Sequence, residues 1–264
     1  MRKIFLLALV AVAALSSCKK EGCTDPSSLN YDPDATKDDG SCVEVSAMHK
    51  ALMTDITATW CPPCGDWGSP AFEEATEANS DNAVAMSLHA SSSDPMYHAT
   101  ARAIADVTGF GGYPTLSIDL QGDYFSASQL TSAAQAVNAT PTVGGSAAIL
   151  RVNGDQIEID ATAKFFEETT GDYYLGVYVM ENGIVEDQNT SSGYVEMVHD
   201  HVLRTGATAS PFGDMAASGS ISANQTFNAS YTVSMSPAWN ADNLYVATIL
   251  WKRTGSTYSV VNCN

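Results

Sequence analysis

Two cysteines separated only by a pair of prolines, in Trp60-Cys61-Pro62-Pro63-Cys64, constrain this 264-residue chain more than any other feature. Residues 46–58 before them read as a buried strand, with Ala51, Leu52, Met53 and Ile56 around Asp55. Pro70 to Ala78 after them carries helix formers, with Phe72 and Ala75, or Ala71 and Ala78, at helical spacing. A strand running into Cys-x-x-Cys at a helix N-terminus favours a thiolate on Cys61. The helix dipole and the unpaired N–H groups there stabilise negative charge. Pro62 and Pro63 suit a first helical turn, where a missing N–H costs nothing, and they stiffen the loop. A zinc site and a static disulfide are the competing uses of such a pair. Zinc needs two further Cys or His ligands, and the sequence has no second paired-cysteine motif.

The flanking pattern alternates strands and helices. Ala83 to His89 reads as a strand, and Met96 to Val107 as a helix starting at Asp94-Pro95. Leu116 to Leu120 reads as a strand, Gln121-Gly122-Asp123 as a turn, and Ser128 to Val137 as a closing helix. This argues an α/β domain over residues 46–140. The stretch resembles the thioredoxin superfamily, above all the membrane-tethered thioredoxin-like proteins of the bacterial envelope. The resemblance implies a cis-proline at Pro114, in Gly111-Gly112-Tyr113-Pro114-Thr115, facing the cysteine loop. It also implies that Asp55 is the buried acid that takes a proton from Cys64. Trp60 would shield the sulfurs, and Tyr113 with Pro114 would shape a substrate groove. Cys61 is then expected as the exposed nucleophile and Cys64 as its buried partner.

After Thr140-Pro141 helix patterns give way to strands. Ala147 to Val152 and Gln156 to Phe165 flank Asn153-Gly154, a strong hairpin signal. Tyr173 to Met180, Phe227 to Met235, Leu244 to Trp251 and Tyr258 to Val261 complete the set. An antiparallel β-sandwich over residues 141–264 is the expected second domain. His199-Asp200-His201-Val202-Leu203-Arg204 stands out within it. On a strand the two histidines would share one face, a spacing that suits a metal or ordinary packing. With the thioredoxin-like half, this segment is similar to the outer-membrane-protein-28-related family of bacterial lipoproteins. The resemblance implies a thioredoxin-like domain followed by a β domain, and an outer-membrane location in the cell envelope.

The chain begins with a basic n-region, Met1-Arg2-Lys3, and an apolar h-region, Ile4 to Leu15. Leu15-Ser16-Ser17-Cys18 resembles the bacterial lipobox, so residues 1–17 are expected as a signal peptide and Cys18 as the lipidated N-terminus. A lipid there would attach a soluble protein to the membrane surface. Residues 18–45 then form a tether holding an acidic module between Cys23 and Cys42. The module has too few apolar residues for a core, so a Cys23–Cys42 disulfide would restrain it in an oxidising compartment. Asp32-x-Asp34-x-Thr36-x-Asp38 places oxygen ligands at alternate positions, as calcium loops do. No Glu stands at the twelfth position from Asp32, and a solvated acidic turn is the other reading. No other cofactor is expected. Cys263 is the odd cysteine, a free or incidental thiol near the end.

Twelve Lys and Arg against thirty Asp and Glu give a formal charge of -18, which argues against nucleic-acid binding. Two functions remain open. One is an envelope thiol–disulfide oxidoreductase acting on protein thiols or disulfides, with Cys61 attacking and Cys64 resolving. The other is a surface binding or adhesion lipoprotein that uses the thioredoxin-like half as a scaffold.

Overall fold

A computed structural model describes residues 19–264; the expected signal segment and the expected lipidation site Cys18 lie outside the described residues. The chain divides into two compact units, one ending at Cys42 and one spanning Val43–Asn264. In the first, β1 (Glu21–Gly22) and β2 (Lys37–Asp38) pair in parallel, and a disulfide joins Cys23 to Cys42. The calcium candidates do not converge. Lys20 Nζ reaches Asp32 at 2.8 Å and Asp34 at 3.5 Å, and the Asp38 carboxylate accepts the Gly40 amide at 2.9 Å. Among the described residues no group of three His, Cys, Asp or Glu side chains is placed to hold a metal. Lys20 holds two of the three candidate aspartates, Asp32 and Asp34.

The second unit opens with β3 (Ala51–Thr57), a π-helical turn over Cys64–Gly68, and α1 (Ser69–Ala78). There follow β4 (Ala83–His89), α2 (Ala99–Val107), β5 (Thr115–Ile118), β6 (Gln121–Tyr124) and α3 (Ala127–Asn138). β3 is buried along its whole length, which is why it reads as a continuous run and not as an alternation. It pairs in parallel with β4 and antiparallel with β5. On one face Met53, Phe72, Leu116 and Leu130 bind α1 and α3 to the sheet, and on the other Leu52, Ile56 and Leu88 meet Ile104 of α2.

Two local expectations are corrected. α2 starts at Ala99, with His98 as its N-cap: the Thr100 amide donates to His98 Nδ1 at 3.1 Å. Asp94, expected to start that helix, is turned inward instead. The reversal between β5 and β6 falls at Asp119-Leu120, both at positive φ, because Ile118 pairs directly with Gln121. Residues 121–123 belong to β6 and not to the turn.

The remaining strands are β7 (Gly144–Asn153), β8 (Gln156–Phe165), β9 (Thr169–Thr170), β10 (Asp172–Glu181), β11 (Ile184–Thr190) and β12 (Gly193–His199). After them come β13 (Val202–Gly206), β14 (Asp214–Ala217), β15 (Ser220–Ile221), β16 (Thr226–Ser234), β17 (Leu244–Thr254) and β18 (Thr257–Cys263). β7, β8 and β16 form a three-stranded antiparallel sheet. Its inner side chains, Ile157, Ile159, Ala163 and Phe165, face Tyr173, Leu175, Val177 and Leu250, so two sheets do enclose a core.

The second of those sheets is not confined to residues 141–264. It has nine strands, in the order β18-β17-β10-β13-β4-β3-β5-β6 with β14 also on β10, and so runs through both expected domains. The seam is the parallel pair of Val202 with Ser87, where the Ser87 amide donates to the His201 carbonyl at 2.7 Å. The two parts therefore form one compact unit, and the expected boundary falls between α3 and β7 as a change of element type. Among the described residues no helix is long and apolar enough to cross a membrane.

Candidate functional site

β3 ends at Thr57, and the chain turns through Ala58-Thr59-Trp60 into Cys61, which a disulfide joins to Cys64. The Cys61 amide donates to the Ala58 carbonyl at 3.1 Å, and the Cys64 amide to the Cys61 carbonyl at 3.2 Å. The Cys64 N–H also lies 3.2 Å from Cys61 Sγ, where it would stabilise a thiolate. Cys64 is fully buried, as expected, but Cys61 is only 2% exposed. The exposed nucleophile is thus corrected: in the disulfide form both cysteines are covered. Tyr113 packs on Ala58, Cys61 and Cys64, while Trp60 is 39% exposed and meets Tyr113 edge-on at 5.4 Å. The ring on the cysteines is therefore Tyr113, and Trp60 lies outside it with Nε1 donating to Ser91 Oγ at 3.2 Å.

The Tyr113–Pro114 peptide is cis, and Pro114 lies against Gly68, where an added Cβ would come within 2.6 Å of the proline ring. Gly68 therefore has to be glycine for Pro114 to approach the turn that follows Cys64.

Asp55 is 1% exposed. Ser69 Oγ donates to its Oδ2 at 3.1 Å, and Oδ1 has no hydrogen-bond partner among the described residues. Burial raises its pKa to about 7; Ser69 opposes this and Glu73 adds to it. Glu73 is itself raised to about 7 by burial and by Asp200. These groups line a cavity of about 140 Å³ with Ser69, Ser87, His199 and Asp200.

His199 and His201 do not share a strand face. β12 ends at His199, and His201 sits at φ 56 in a reversal. Turn chemistry explains the break: Asn182 Oδ1 accepts the His201 amide at 2.8 Å, and Asp200 accepts the Gly183 amide at 2.6 Å. His199 packs edge-on against His89 at 5.6 Å, and burial, then His89, lowers its pKa to about 4. His201 Nδ1 instead meets the Tyr245 hydroxyl at 2.8 Å. His89 Nδ1 lies 3.1 Å from Asp94, whose other oxygen takes the Thr59 amide at 2.6 Å. Burial works to raise Asp94, but His89 and the Thr59 and Met96 amides outweigh it and its pKa is lowered.

Sequence reasoning missed the hairpin of β11 and β12, whose strands pair only with each other. Its residues reach the cysteine turn. Gln188 Nε2 donates to the Cys61 carbonyl, Asn189 to the carbonyls of Thr59 and Trp60, and Ser191 to the Asp66 carboxylate. Gly65 is the point of closest approach, since an added Cβ would come within 2.6 Å of the Asn189 carbonyl oxygen. Nothing in the spacing of residues 184–199 points to this role, because both faces of the hairpin mix polar and apolar side chains. Cys263 is buried in β18, with its thiol 3.1 Å from the Lys50 carbonyl, and burial pushes its pKa up. It is a free thiol, as one of the two expectations had it, and it belongs to the core rather than being incidental.

A family model described as outer membrane protein Omp28 matches residues 101–264. Among solved structures, HBP35 of Porphyromonas gingivalis aligns with a TM-score of 0.68 at 16% identity, over 84% of this chain and 76% of that one. A domain of the outer membrane lipoprotein Omp28 from Porphyromonas gingivalis aligns with a TM-score of 0.31 at 14% identity, over 47% and 85%. The first likeness is one of fold alone, and the second is too slight to argue from. No curated protein matches the sequence.

Proposed function

The chain belongs to the outer membrane protein Omp28 family of the bacterial envelope, and on that premise we propose that it is a thiol–disulfide oxidoreductase working through Cys61 and Cys64. One observation carries the reading: the disulfide spans a turn between a buried strand and a helix, with Tyr113-Pro114 packed on that turn and Asp55 buried in the same strand. We read this as the arrangement expected of a thioredoxin-like domain. Anchoring through a lipid on Cys18 would hold it at the membrane, with protein thiols or disulfides as partners.

In the oxidising direction a substrate thiolate attacks Cys61 Sγ, the Cys61–Cys64 bond breaks, and Cys64 leaves as a thiolate. A second substrate thiolate then attacks the substrate sulfur of the mixed disulfide and releases Cys61. The substrate gains a disulfide and the protein becomes a dithiol; the reducing direction is the reverse. The Cys64 amide at Cys61 Sγ favours release of Cys61 as thiolate. Asp55, with a pKa near 7, can exchange a proton with the buried Cys64 near neutral pH.

A binding lipoprotein is the second reading. It is favoured by Val185, Tyr194 and Val198, which the β11–β12 hairpin leaves exposed. A Cys64→Ser variant of the full chain separates the two. It should accumulate mixed disulfides with envelope proteins that dithiothreitol releases and that Cys61→Ser/Cys64→Ser lacks. Equal adducts in both variants, or none, would sink the oxidoreductase reading.

A further inference from the structure

Four consecutive carbonyls, those of Ala58, Thr59, Trp60 and Cys61, each accept a hydrogen bond from one of two consecutive hairpin residues. Gln188 Nε2 donates to Ala58 at 3.3 Å and to Cys61 at 3.0 Å. The Asn189 amide donates to Thr59 at 2.7 Å, and its side chain to Trp60 at 3.1 Å. Gln188 also reaches the Asn189 carbonyl at 3.0 Å, so its two N–H hydrogens serve three acceptors. The Ala58 and Cys61 carbonyls are the same two that accept the Cys61 and Cys64 amides and so close the cysteine turn. Gln188 is fully buried, and its Oε1 has no hydrogen-bond partner among the described residues. An amide kept buried with half of its capacity unused is costly, and an apolar side chain of similar size would avoid that cost. What the glutamine adds is its donor group on Cys61.

We propose that Gln188 is a positioning residue for the Cys61–Cys64 pair, which raises the thiolate share of Cys61 and favours the dithiol by holding the Ala58 and Cys61 carbonyls. The proposal rests on the thiol–disulfide reading above. The Cys61 carbonyl oxygen is held close to its own sulfur by covalent geometry, and its negative end disfavours a thiolate there. A donor on that oxygen offsets part of the negative charge. The β-rich part of the chain would in this way set the redox balance of a pair that lies outside it.

The test uses the full chain and compares wild type with Gln188→Leu, Gln188→Glu and Ser191→Ala. Two quantities are read: the equilibrium with a glutathione buffer, and the pH midpoint for alkylation of Cys61 in the reduced protein. Gln188→Leu should shift the equilibrium about tenfold toward the disulfide, equal to ~30 mV, and move the alkylation midpoint upward. Gln188→Glu keeps the shape, and above the pH at which its buried carboxyl loses its proton it adds a negative charge, so there its shift should be larger and in the same direction. It also serves if the leucine variant fails to fold. Ser191→Ala loosens the hairpin tip without touching these carbonyls and should leave both quantities unchanged. Wild-type values in a folded Gln188 variant, or an equal shift from Ser191→Ala, would overturn the assignment. The Cys64→Ser trap tests the oxidoreductase reading and the glutathione equilibrium tests Gln188, so the two fail separately.

Discussion

The chain uses cysteine pairs and aspartates twice, in opposite settings. Around Cys23–Cys42 the pair closes a 19-residue separation, and half-buried Asp32 and exposed Asp39 keep their charge: Lys20 holds the pKa of Asp32 down, and Ser41 does so for Asp39. Around Cys61–Cys64 the separation is three residues, the cysteines are buried, and burial pushes Asp55 up to about 7. A disulfide across a long loop stabilises by restricting the unfolded chain, whereas one across a single turn restricts little that the helix start does not already fix. The first pair therefore has a structural task that the second lacks. Among the described residues, an acid that burial pushes up to about 7, costly to a fold, stands beside the second pair and not beside the first. On the proposed function, the contrast separates a staple from a site.

Replacing the buried acid should give the largest effect. The folded-state pKa of Asp55 lies above that of an unfolded aspartate, so folding binds a proton between about pH 4 and 7 and stability contributed by this group falls as pH rises through that window. Three pH units correspond to roughly 4 kcal/mol. Asp55→Asn should be more stable than wild type at pH 8 by an amount of that order, with the difference shrinking toward pH 4. Melting curves of both proteins across pH 4–8 check this. Glu73, also near 7, titrates in both curves, and because its charge adds to the rise at Asp55 the difference includes the coupling between the two. Parallel curves would mean that Asp55 is not a buried, proton-holding group.

The staple comes next. Cys23→Ser/Cys42→Ser should cost the acidic module about 3 kcal/mol, on the loop-closure estimate for a separation of this size. Limited proteolysis should then cut residues 19–42 quickly while the melting of Val43–Asn264 stays where it was. Loss of both together would show that the module is not an independent unit.

The legible parts of the fold were those written in local pattern. Continuous apolar runs marked β3 and β4, the alternation from Ile157 to Phe165 marked β8, and Asn153-Gly154 marked its hairpin. The cysteine motif showed where a site could be, because strand, paired cysteines and helix follow one another in the chain. The continuity of the sheet across both parts was not legible, since it depends on one pairing between Val202 and Ser87, far apart in sequence. The hairpin over the cysteine turn was hidden for the same reason: Gln188 lies 127 residues from Cys61 and looks like any surface glutamine. His199 and His201 misled because strand periodicity was extended through Asp200, where the Asn182 and Asp200 side chains cap a reversal.

Two glycines sharpen the contrast at the smallest scale. Gly65 follows Cys64, and an added methyl would meet the Asn189 carbonyl at 2.6 Å and the Gln188 side chain at 2.8 Å. Backbone cannot yield cheaply, so Gly65→Ala should cost about 1–3 kcal/mol by overpacking and loosen the hairpin. Gly40, two residues before Cys42, has open space around it but a φ of +78, so Gly40→Ala should cost about 1 kcal/mol through backbone strain alone. The two also differ in reach. Gly65→Ala should speed proteolysis within residues 184–199, far away in sequence, whereas Gly40→Ala should change cleavage only within the acidic module. If Gly65→Ala leaves the hairpin as protected as in wild type, then the hairpin is not held down on the cysteine turn. Gln188 would then lose the rigid support that its positioning role requires.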